Sequence, residues 1–396
     1  MERCLEDLRQ SKVPQDKVEE EVFRILRFSY THLHDRALRD CFLYCGLFPE
    51  DFEIPRENLI DYLIDEGVVK QQKSREAEIN KGHTMLDRLE KSAIGRLRGG
   101  NYVKMHDLIR DMAIQILEEN SQAIVKAGAQ LKELPDAHEW SEKLKSVSLM
   151  HNHIEEIHFG HSPRCPNLST LLLCDNRQLG FIADLFFKQL HRLKVLDLSR
   201  TYIEYLPDSV SDLEGLTSLL LKDCQRLSSV PSLKKLRALK RLDISVFILE
   251  ERPYDHYRMK EIYAPITVEG KEVGCLRKLE SLECHFEDQS NYLEYLKSRD
   301  ATQSLRTYKI VVGQLREDHD KRLRHTGGGT KMVGLGNLNI NRDGDFLYRL
   351  SSCNSIENLV HLALSTAQPF RLIMVEDCEK MEEIIGEQDQ MKKGYG

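Results

Sequence analysis

The strongest constraint on the fold of this chain is a leucine pattern that recurs about every two dozen residues in its second half. Five segments carry apolar side chains at offsets 0, 3 and 5, and they begin at Leu144, Leu168, Leu193, Leu216 and Leu239. A fixed period of this length indicates a stack of repeated units, because one such unit cannot bury its apolar face without neighbours.

The spacing inside each unit predicts its local structure. Residues at offsets 3 and 5 share one face of a short strand, because side chains alternate along a strand. Offset 8 follows the strand, where a side chain can satisfy the backbone groups of a turn. The residues at this offset are Asn152, Asn176, Thr201, Cys224 and Phe247. The combined pattern, LxxLxLxxN/C, predicts a leucine-rich-repeat solenoid.

The pattern loosens between about residues 250 and 360. Candidate units in this stretch are Leu279/Leu282/Cys284, Leu305/Tyr308/Ile310 and Leu335/Leu338/Ile340. Chance clustering of apolar residues is the alternative for these irregular units. Near the end, Phe370/Ile373/Val375 matches Leu216/Leu219/Leu221 offset for offset. We therefore expect leucine-rich repeats over residues 144–396, irregular between about 250 and 360.

Residues between the core positions of each strand are predicted to face the open concave side of the solenoid. They are Ser148, Leu172, Asp197, Leu220, Asp243 and Met374. Extended concave faces of solenoids suit protein recognition, so the flanking charged residues are candidates for contact with a partner. These candidates are Arg200, Lys222, Asp223 and Arg241. The alternative for any one of them is an ordinary solvated side chain, because few interface residues carry binding energy.

The first part of the chain has helical periodicity. Apolar stripes predict helices around residues 23–33, 38–45, 59–63, 86–94 and 108–116. Pro55 is expected in the first turn of the third helix and Gly67 at its end. Between the last two helices, Gly99-Gly100-Asn101 predicts a turn and Tyr102-Val103-Lys104 a short strand. Helices combined with such a wing are typical of a winged-helix domain. The predicted fold class is therefore α+β multidomain, with a helical winged-helix domain followed by a leucine-rich-repeat solenoid.

Composition and motif searches exclude several classes. The net charge of −7 and pI of about 6.1 argue against a strongly cationic nucleic-acid binder. No apolar run approaches the ~18 residues of a membrane-spanning helix, and the charged start has no apolar signal region. Ten cysteines without a CxxC pair indicate reduced intracellular thiols. Without a recognisable nucleophile–base pair or metal spacing, an enzyme is disfavoured.

Three sequence blocks resemble one known family. Residues 41–51, CFLYCGLFPED, resemble the CFLYCALFPED block of plant nucleotide-binding (NB-ARC) leucine-rich-repeat disease-resistance proteins. Residues 103–113, VKMHDLIRDMA, resemble the setting of that family's MHD motif, and residues 59–67 resemble its LIxxWIAEG stretch, with Tyr62 in place of tryptophan. Together with the repeats, the resemblance covers nearly the whole chain and is closest to the coiled-coil subclass.

The resemblance implies a nucleotide switch that involves Met105, His106 and Asp107. In this family the winged helix closes over ADP bound by an upstream P-loop domain, and the MHD histidine contacts the β-phosphate. His106 suits this role because the start of a helix favours an anion and an imidazole can donate a hydrogen bond to phosphate. Asp107 would brace the turn. The alternative is that His106 is an ordinary helix-start residue.

This sequence departs from the family pattern by lacking the P-loop and the amino-terminal coiled coil. We expect a chain that begins in the tail of the preceding helical subdomain, as a fragment or as a truncated paralogue. The expected domains are that tail at 1–35, the winged helix with its MHD motif at 36–120, a linker or cap at 121–143 and the repeats at 144–396. ADP or ATP would bind in the full-length context, and this chain alone is expected to bind neither.

Histidines and cysteines suggest a metal site only weakly. His151, His153, His158 and His161 crowd eleven residues, but they fall at a repeat turn, where polar side chains are expected. Cys41 and Cys45 are predicted core thiols, and Cys224 and Cys378 occupy the turn position of the repeats. We predict no metal site.

The leading functional prediction is a fragment of an intracellular plant immune receptor. Its repeats would recognise a pathogen effector, or a host protein that the effector modifies, and its MHD-bearing winged helix would regulate an ADP/ATP switch. Its partners would be that protein and an intramolecular NB-ARC domain, without nucleic acid. The alternative is an adaptor or decoy without a P-loop that binds proteins but does not switch. The expected location is the cytoplasm, with peripheral membrane attachment left open.

Overall fold

A computed structural model describes residues 15–91, 101–158, 160, 162–246, 266–299, 305–313, 331–336 and 372–376. The chain divides into two compact units. Unit 1 contains residues 1–154, 163–176 and 192–196, and unit 2 contains residues 155–162, 177–191 and 197–396.

In the part of unit 1 that the structure describes, there are five α-helices and a two-stranded wing. The helices are α1 (Gln15–Thr31), α2 (Arg36–Cys45), α3 (Arg56–Glu66), α4 (Arg75–Lys91) and α5 (Asp107–Glu119). Strand β1 (Ile54–Pro55) pairs antiparallel with β2 (Tyr102–Val103). This arrangement confirms the predicted winged-helix domain. Pro55 differs from its prediction, since it pairs in the wing immediately before α3 instead of lying in the first helical turn.

Local signals explain where these helices begin and end. Asp35 caps α2, because its side chain accepts a hydrogen bond from the backbone N–H of Ala37 at 3.0 Å. Gly67 ends α3 with a φ of 90°, a left-handed conformation that glycine adopts without steric cost. Leu59, Ile60 and Leu63 of α3 are fully buried. The predicted stripe that continued α4 to Ile94 ends outside the described residues.

The repeats of unit 1 form short parallel strands. They are β3 (Ala123–Val125), β4 (Ser146–Ser148) and β6 (Thr170–Leu172), in register Ala123↔Ser146 and Ser146↔Thr170. The middle residues Val147 and Leu171 are fully buried, as the spacing predicts. Strand β3 lies within the stretch expected as a linker or cap, so the first strand of this sheet precedes the first regular leucine unit. Strand β8 (Val195–Asp197) falls at the third unit.

Unit 2 is also built from short parallel strands. Strands β5 (Glu156–Ile157) and β7 (Phe181–Ile182) pair in parallel. Strands β9 (Ser218–Leu220), β10 (Arg241–Asp243), β11 (Ser281–Phe286), β12 (Thr307–Val312) and β13 (Lys331–Gly336) form a parallel series. Helices α6 (Gly270–Gly274) and α7 (Gln289–Ser298) pack against each other, and α7 also contacts β11. The units predicted at Leu279 and Leu305 therefore form true strands, β11 and β12.

The end of the ladder differs from the prediction. Strand β14 (Leu372–Glu376) runs antiparallel to β13, in register Met332↔Glu376. The prediction of one more parallel unit at Phe370/Ile373/Val375 is therefore wrong in strand direction. Offsets 3 and 5 determine only which side chains share a face, and both strand directions satisfy them. Cys378 and the unit residues Leu338 and Ile340 lie outside the described residues, and Leu335 lies inside β13.

The turn after each strand has a recurring backbone conformation. The residues at offset 7, His151, Asp175, Arg200 and Asp223, have φ values of 53°, 60°, 57° and 57°. The residue at offset 8 then satisfies the turn. For example, Asn176 Nδ2 donates to the carbonyls of Leu149 and Leu173, both at 2.8 Å. In the fourth unit the Cys224 thiol replaces the amide and donates to the Leu198 carbonyl at 3.1 Å. The predicted role of offset 8 is confirmed at Asn152, Asn176, Thr201 and Cys224, whereas Phe247 lies outside the described residues.

Candidate functional site

His106 lies at the N-cap of α5, with φ −72° and ψ 143°. Its carbonyl accepts hydrogen bonds from the backbone N–H groups of Ile109 and Arg110, both at 2.9 Å. Its side chain makes no capping bond and is exposed. Met105 is buried in the domain core, and Asp107 is the first residue of the helix. The histidine ring is thus accessible to a ligand, while the buried Met105 anchors the backbone.

Two of the family-like blocks pack against each other around this position. Lys104 Nζ lies 2.7 Å from Asp51 Oδ1, and Arg110 Nε donates to the Phe48 carbonyl at 2.7 Å. The ammonium of Lys104 lowers the pKa of Asp51, and the carboxylate in turn raises the pKa of Lys104. Burial lowers the pKa of Arg110. The loop that ends in Asp51 is thereby tied to the start of α5 at two points.

A second polar site joins α3 to the repeats of unit 1. The Thr170 hydroxyl donates to Glu66 Oε2 at 2.6 Å, and Lys194 Nζ donates to the Glu66 carbonyl oxygen at 2.6 Å. The cation of Lys194 sits at the C-terminal end of α3, where the helix dipole favours positive charge. We call Glu66, Thr170 and Lys194 the repeat clasp.

Further contacts extend this interface. The Ser148 hydroxyl donates to the Leu47 carbonyl at 2.6 Å, and the ring of Phe52 meets that of His151 edge-on at 5.3 Å. Ser148 and Leu172 are fully buried, so the prediction that they face an open concave side is wrong. At Ser148 the reason is that the winged helix covers the strand, an arrangement that the repeat spacing does not encode.

The predicted recognition residues of unit 2 differ in accessibility. Arg200 is half-exposed and lies 3.9 Å from Asp223 Oδ2, so the two candidates form an ion pair at successive turns. Lys222 is partly exposed. Arg241 is buried, and its Nε donates to the Ser218 hydroxyl at 3.0 Å. The concave positions Asp197 and Leu220 are also buried.

Asp243 and Glu283 are carboxylates on neighbouring strands of unit 2. They face each other directly in the β10–β11 register. Burial, and then the charge of Glu283, raise the pKa of Asp243 to about 7, although Ser245 donates two hydrogen bonds to it, at 3.0 and 2.6 Å. The Asp243 carboxyl therefore changes its protonation state near neutral pH.

The raised pKa predicts a pH-dependent stability. An unfolded Asp loses its proton near pH ~3.9, whereas folded Asp243 holds it until about pH 7. Between these values only the folded state is protonated, so this group's contribution to stability falls as pH rises and is lost above pH 7. The wild type should therefore lose stability between pH 5 and pH 8. In Asp243→Asn we expect this loss in the free energy of unfolding to be smaller by about 1–3 kcal/mol.

Denaturant titrations at the two pH values measure this difference. Asp212→Asn is the matched control, because Lys235 lowers the pKa of that exposed carboxylate, which is therefore ionised in both the folded and the unfolded state between pH 5 and pH 8. A pH dependence that is the same in Asp243→Asn and the wild type would contradict the assignment.

The histidine cluster does not converge. His151 Nε2 lies 3.4 Å from Asp175, His153 Nε2 contacts Gln130 at 2.7 Å, and His158 Nε2 lies 3.4 Å from Glu156. His161 lies outside the described residues. Within the described ranges, no three His, Cys, Asp or Glu side chains are grouped to hold a metal ion, and no helix could cross a membrane. Cys41 and Cys45 are buried in the core, as predicted.

Sequence reasoning missed the clasp residues and the anchor Arg110. Glu66 and Lys194 are 128 residues apart, and no local pattern connects them. Lys194 directly follows the first leucine of its repeat, the position that Lys145 and Ser169 occupy in earlier repeats. This position by itself indicates only a surface residue. The sequence offered one signal for Glu66, which is a charged residue directly before the glycine that ends a helix.

Two family models match the winged helix and the repeats. A family model described as the disease resistance protein winged helix domain matches residues 47–113, and a leucine rich repeat model matches residues 166–225. A crystal structure of the internalin inlF from Listeria monocytogenes covers 64% of this chain and 64% of its own, at 17% identity and a TM-score of 0.38.

Curated relatives come from Arabidopsis thaliana. At4g10780 is 29% identical over 419 residues, which cover 93% of this chain and 44% of that protein. Disease resistance protein RFL1 is 38% identical over 57% of this chain and 28% of its own length, and disease resistance protein RPS5 is 36% identical over 54% and 24%. The chain thus spans less than half the length of these relatives. The chain thus carries the winged helix domain of disease resistance proteins and a leucine-rich-repeat region, and it is similar in sequence to these plant disease resistance proteins.

Proposed function

We propose that this chain is the winged-helix and repeat portion of a plant immune receptor. In this proposal its repeats hold the winged helix in a resting position and recognise a pathogen effector or an effector-modified host protein. The winged helix regulates an ADP/ATP switch with an upstream nucleotide-binding domain, in the cytoplasm. The repeat clasp is the observation that carries the proposal, since it joins the repeats to a helix of the domain that bears the MHD motif.

The clasp supports restraint of the winged helix for a physical reason. Its two hydrogen bonds, both 2.6 Å long, end on the last residue of α3. Charge-assisted hydrogen bonds of this kind contribute about 1.5–3 kcal/mol each. A partner that binds the released form better than the clasped form would shift the population between them. Only such differential binding can turn recognition into a signal.

His106 supports the nucleotide part of the proposal. Its exposed ring lies at the start of α5, where backbone N–H groups favour a phosphate. The buried side chain of Met105 would anchor the motif to the domain core, and Asp107 would stabilise the first turn of α5. The carboxylate of Asp51 near this position opposes an anion, so the site requires the phosphate charge to be held mainly by the upstream domain. ADP or ATP is the proposed ligand in that context only.

The clasp is tested in the complete gene product, expressed transiently in leaf tissue. We expect Lys194→Met combined with Thr170→Val to trigger a defence response without an elicitor, because both donors to Glu66 are lost. Lys145→Met is the matched control, since Lys145 is exposed and occupies the equivalent position two repeats earlier. If the clasp variant, like the wild type, responds only when the effector is present, the proposed restraint of the winged helix is contradicted.

A second arm addresses recognition. We expect Arg200→Glu with Lys222→Glu to abolish the response to the elicitor without producing one in its absence. Arg241 is left out because it is buried, so reversing its charge would disturb the fold. If the complete product binds its partner but never retains ADP, the adaptor or decoy function replaces the switch.

A further inference from the structure

Three successive turns of unit 2 have the same backbone structure. They precede β9, β10 and β11, and each contains three short-range hydrogen bonds in the same order. The central bonds run from Glu214 N to Asp212 O at 2.9 Å, from Arg237 N to Lys235 O at 2.8 Å, and from Arg277 N to Cys275 O at 3.0 Å. Glu214, Arg237 and Arg277 therefore occupy one equivalent position in consecutive repeats.

Side chains at equivalent positions of these turns are close enough to interact. The strands that follow them are hydrogen-bonded in register, with Arg241 opposite Ser281, and neighbouring strands lie about 4.8 Å apart. Two positions earlier in the turn, Lys235 Nζ reaches Asp212 of the preceding turn at 2.7 Å. The guanidinium groups of Arg237 and Arg277 are therefore within reach of one common ligand.

The other cations of this edge already have partners. Lys234 lies 3.2 Å from Glu272, Lys235 is paired with Asp212, and Lys240 lies 3.6 Å from Glu280. By contrast, Arg237, Arg277 and Lys278 are exposed, and none of them has an ion-pair partner within 4.0 Å in the described part of the chain. We call these three residues the arginine edge. Like charges at adjacent positions disfavour the folded state, and an anion placed between them would relieve this repulsion.

We propose that the arginine edge binds a short acidic segment of a partner protein. The planar guanidinium group pairs with a carboxylate through two parallel hydrogen bonds, and two such groups in adjacent repeats suit two neighbouring acidic side chains. This binding site is separate from the repeat clasp and from the MHD motif, and it does not depend on nucleotide switching.

The acidic residues around the arginine edge favour a short peptide over a broad anionic surface as its ligand. Glu214 lies one repeat before Arg237, and Glu272 and Glu280 lie within the turn region of Arg277. A membrane or a nucleic-acid backbone would bring its negative charge onto these carboxylates as well. A peptide segment with two or three carboxylates matches the three cations of the arginine edge. Basic residues on either side of that segment would lie near the neighbouring glutamates.

The test uses the full chain and fluorescence anisotropy. The probe is a fluorescein-labelled peptide, Gly-Lys-Ser-Glu-Glu-Asp-Ser-Lys-Gly, and vesicles of phosphatidylcholine with phosphatidylserine form a separate arm. We expect the peptide to bind the wild type with an affinity that falls as salt rises. Arg237→Glu combined with Arg277→Glu should weaken peptide binding by about tenfold or more.

The control is Lys73→Glu combined with Lys132→Glu, which reverses two exposed charges elsewhere on the chain. We expect it to stay within about twofold of the wild type, since screened distant charges contribute little. Circular dichroism melting verifies that both double variants fold. Undetectable peptide binding, a loss below tenfold in the arginine variant, an equal loss in the control, or vesicle binding that depends on the arginines would each overturn the proposal.

Discussion

Arg75→Met is expected to destabilise the winged helix by about 3–5 kcal/mol. Arg75 lies between three carboxylates, 2.9 Å from Asp61, 3.4 Å from Asp65 and 3.8 Å from Glu78. The Asp65 side chain is fully buried, and that of Glu78 is 6% exposed. Without the guanidinium, these charges would remain in a poorly solvated site, and their desolvation would no longer be offset.

Amide hydrogen exchange across α3 and α4 measures this effect within the domain and does not require a two-state transition of the whole chain. Arg36→Met is the matched control, because Arg36 forms an exposed pair with Asp40 at 3.7 Å and such pairs contribute about 0–1 kcal/mol. Equal protection in the two variants would show that the buried carboxylates do not depend on Arg75. The same experiment would also report on the clasp, because α3 carries Glu66.

Gly270→Ala should destabilise unit 2 by about 3 kcal/mol or more. A Cβ atom at Gly270 would lie 1.8 Å from the Asn291 carbonyl oxygen and 2.8 Å from the Tyr295 backbone nitrogen. Both neighbours are backbone atoms of α7, so the clash cannot be relieved by rotating a side chain. Helices α6 and α7 would have to separate, which would loosen the packing of the buried Tyr292 and Tyr295.

Thermal unfolding of the variant, with urea titration as a second measure, tests this expectation. Lys271→Ala is the matched control, since it lies in the same helix and is exposed. It should change the free energy of unfolding by less than about 0.5 kcal/mol. If Gly270→Ala were as stable as this control, the close approach of α6 to α7 would be contradicted.

Much of the fold is predictable from local patterns. The period of Leu144, Leu168 and Leu216 predicts the strands β4, β6 and β9, because the alternation of side chains on a strand is a local property of the backbone. Asn176 and Cys224 are predictable as turn residues, since a turn must satisfy its own polar groups. The start of α5 after His106 follows from the apolar stripe of that helix.

The candidate site is predictable only in part. The MHD residues are found by resemblance, and the structure places them at the start of α5. The resemblance does not reveal the bond from Arg110 to the Phe48 carbonyl, which joins residues 62 positions apart. The clasp from Thr170 to Glu66 spans 104 positions and lies on no shared period.

By itself, the amino-acid sequence determined the ladder of short strands and the helices that precede it, since spacing controls hydrogen bonding and side-chain direction over a few residues. Only the tertiary structure decided that Ser148 is covered, that Arg241 is buried and that β14 runs antiparallel. It also placed Arg237 beside the equivalent position of Arg277 in the next repeat. These outcomes depend on how separately formed surfaces pack together, and the free energy of that packing is set by atoms that are distant along the chain.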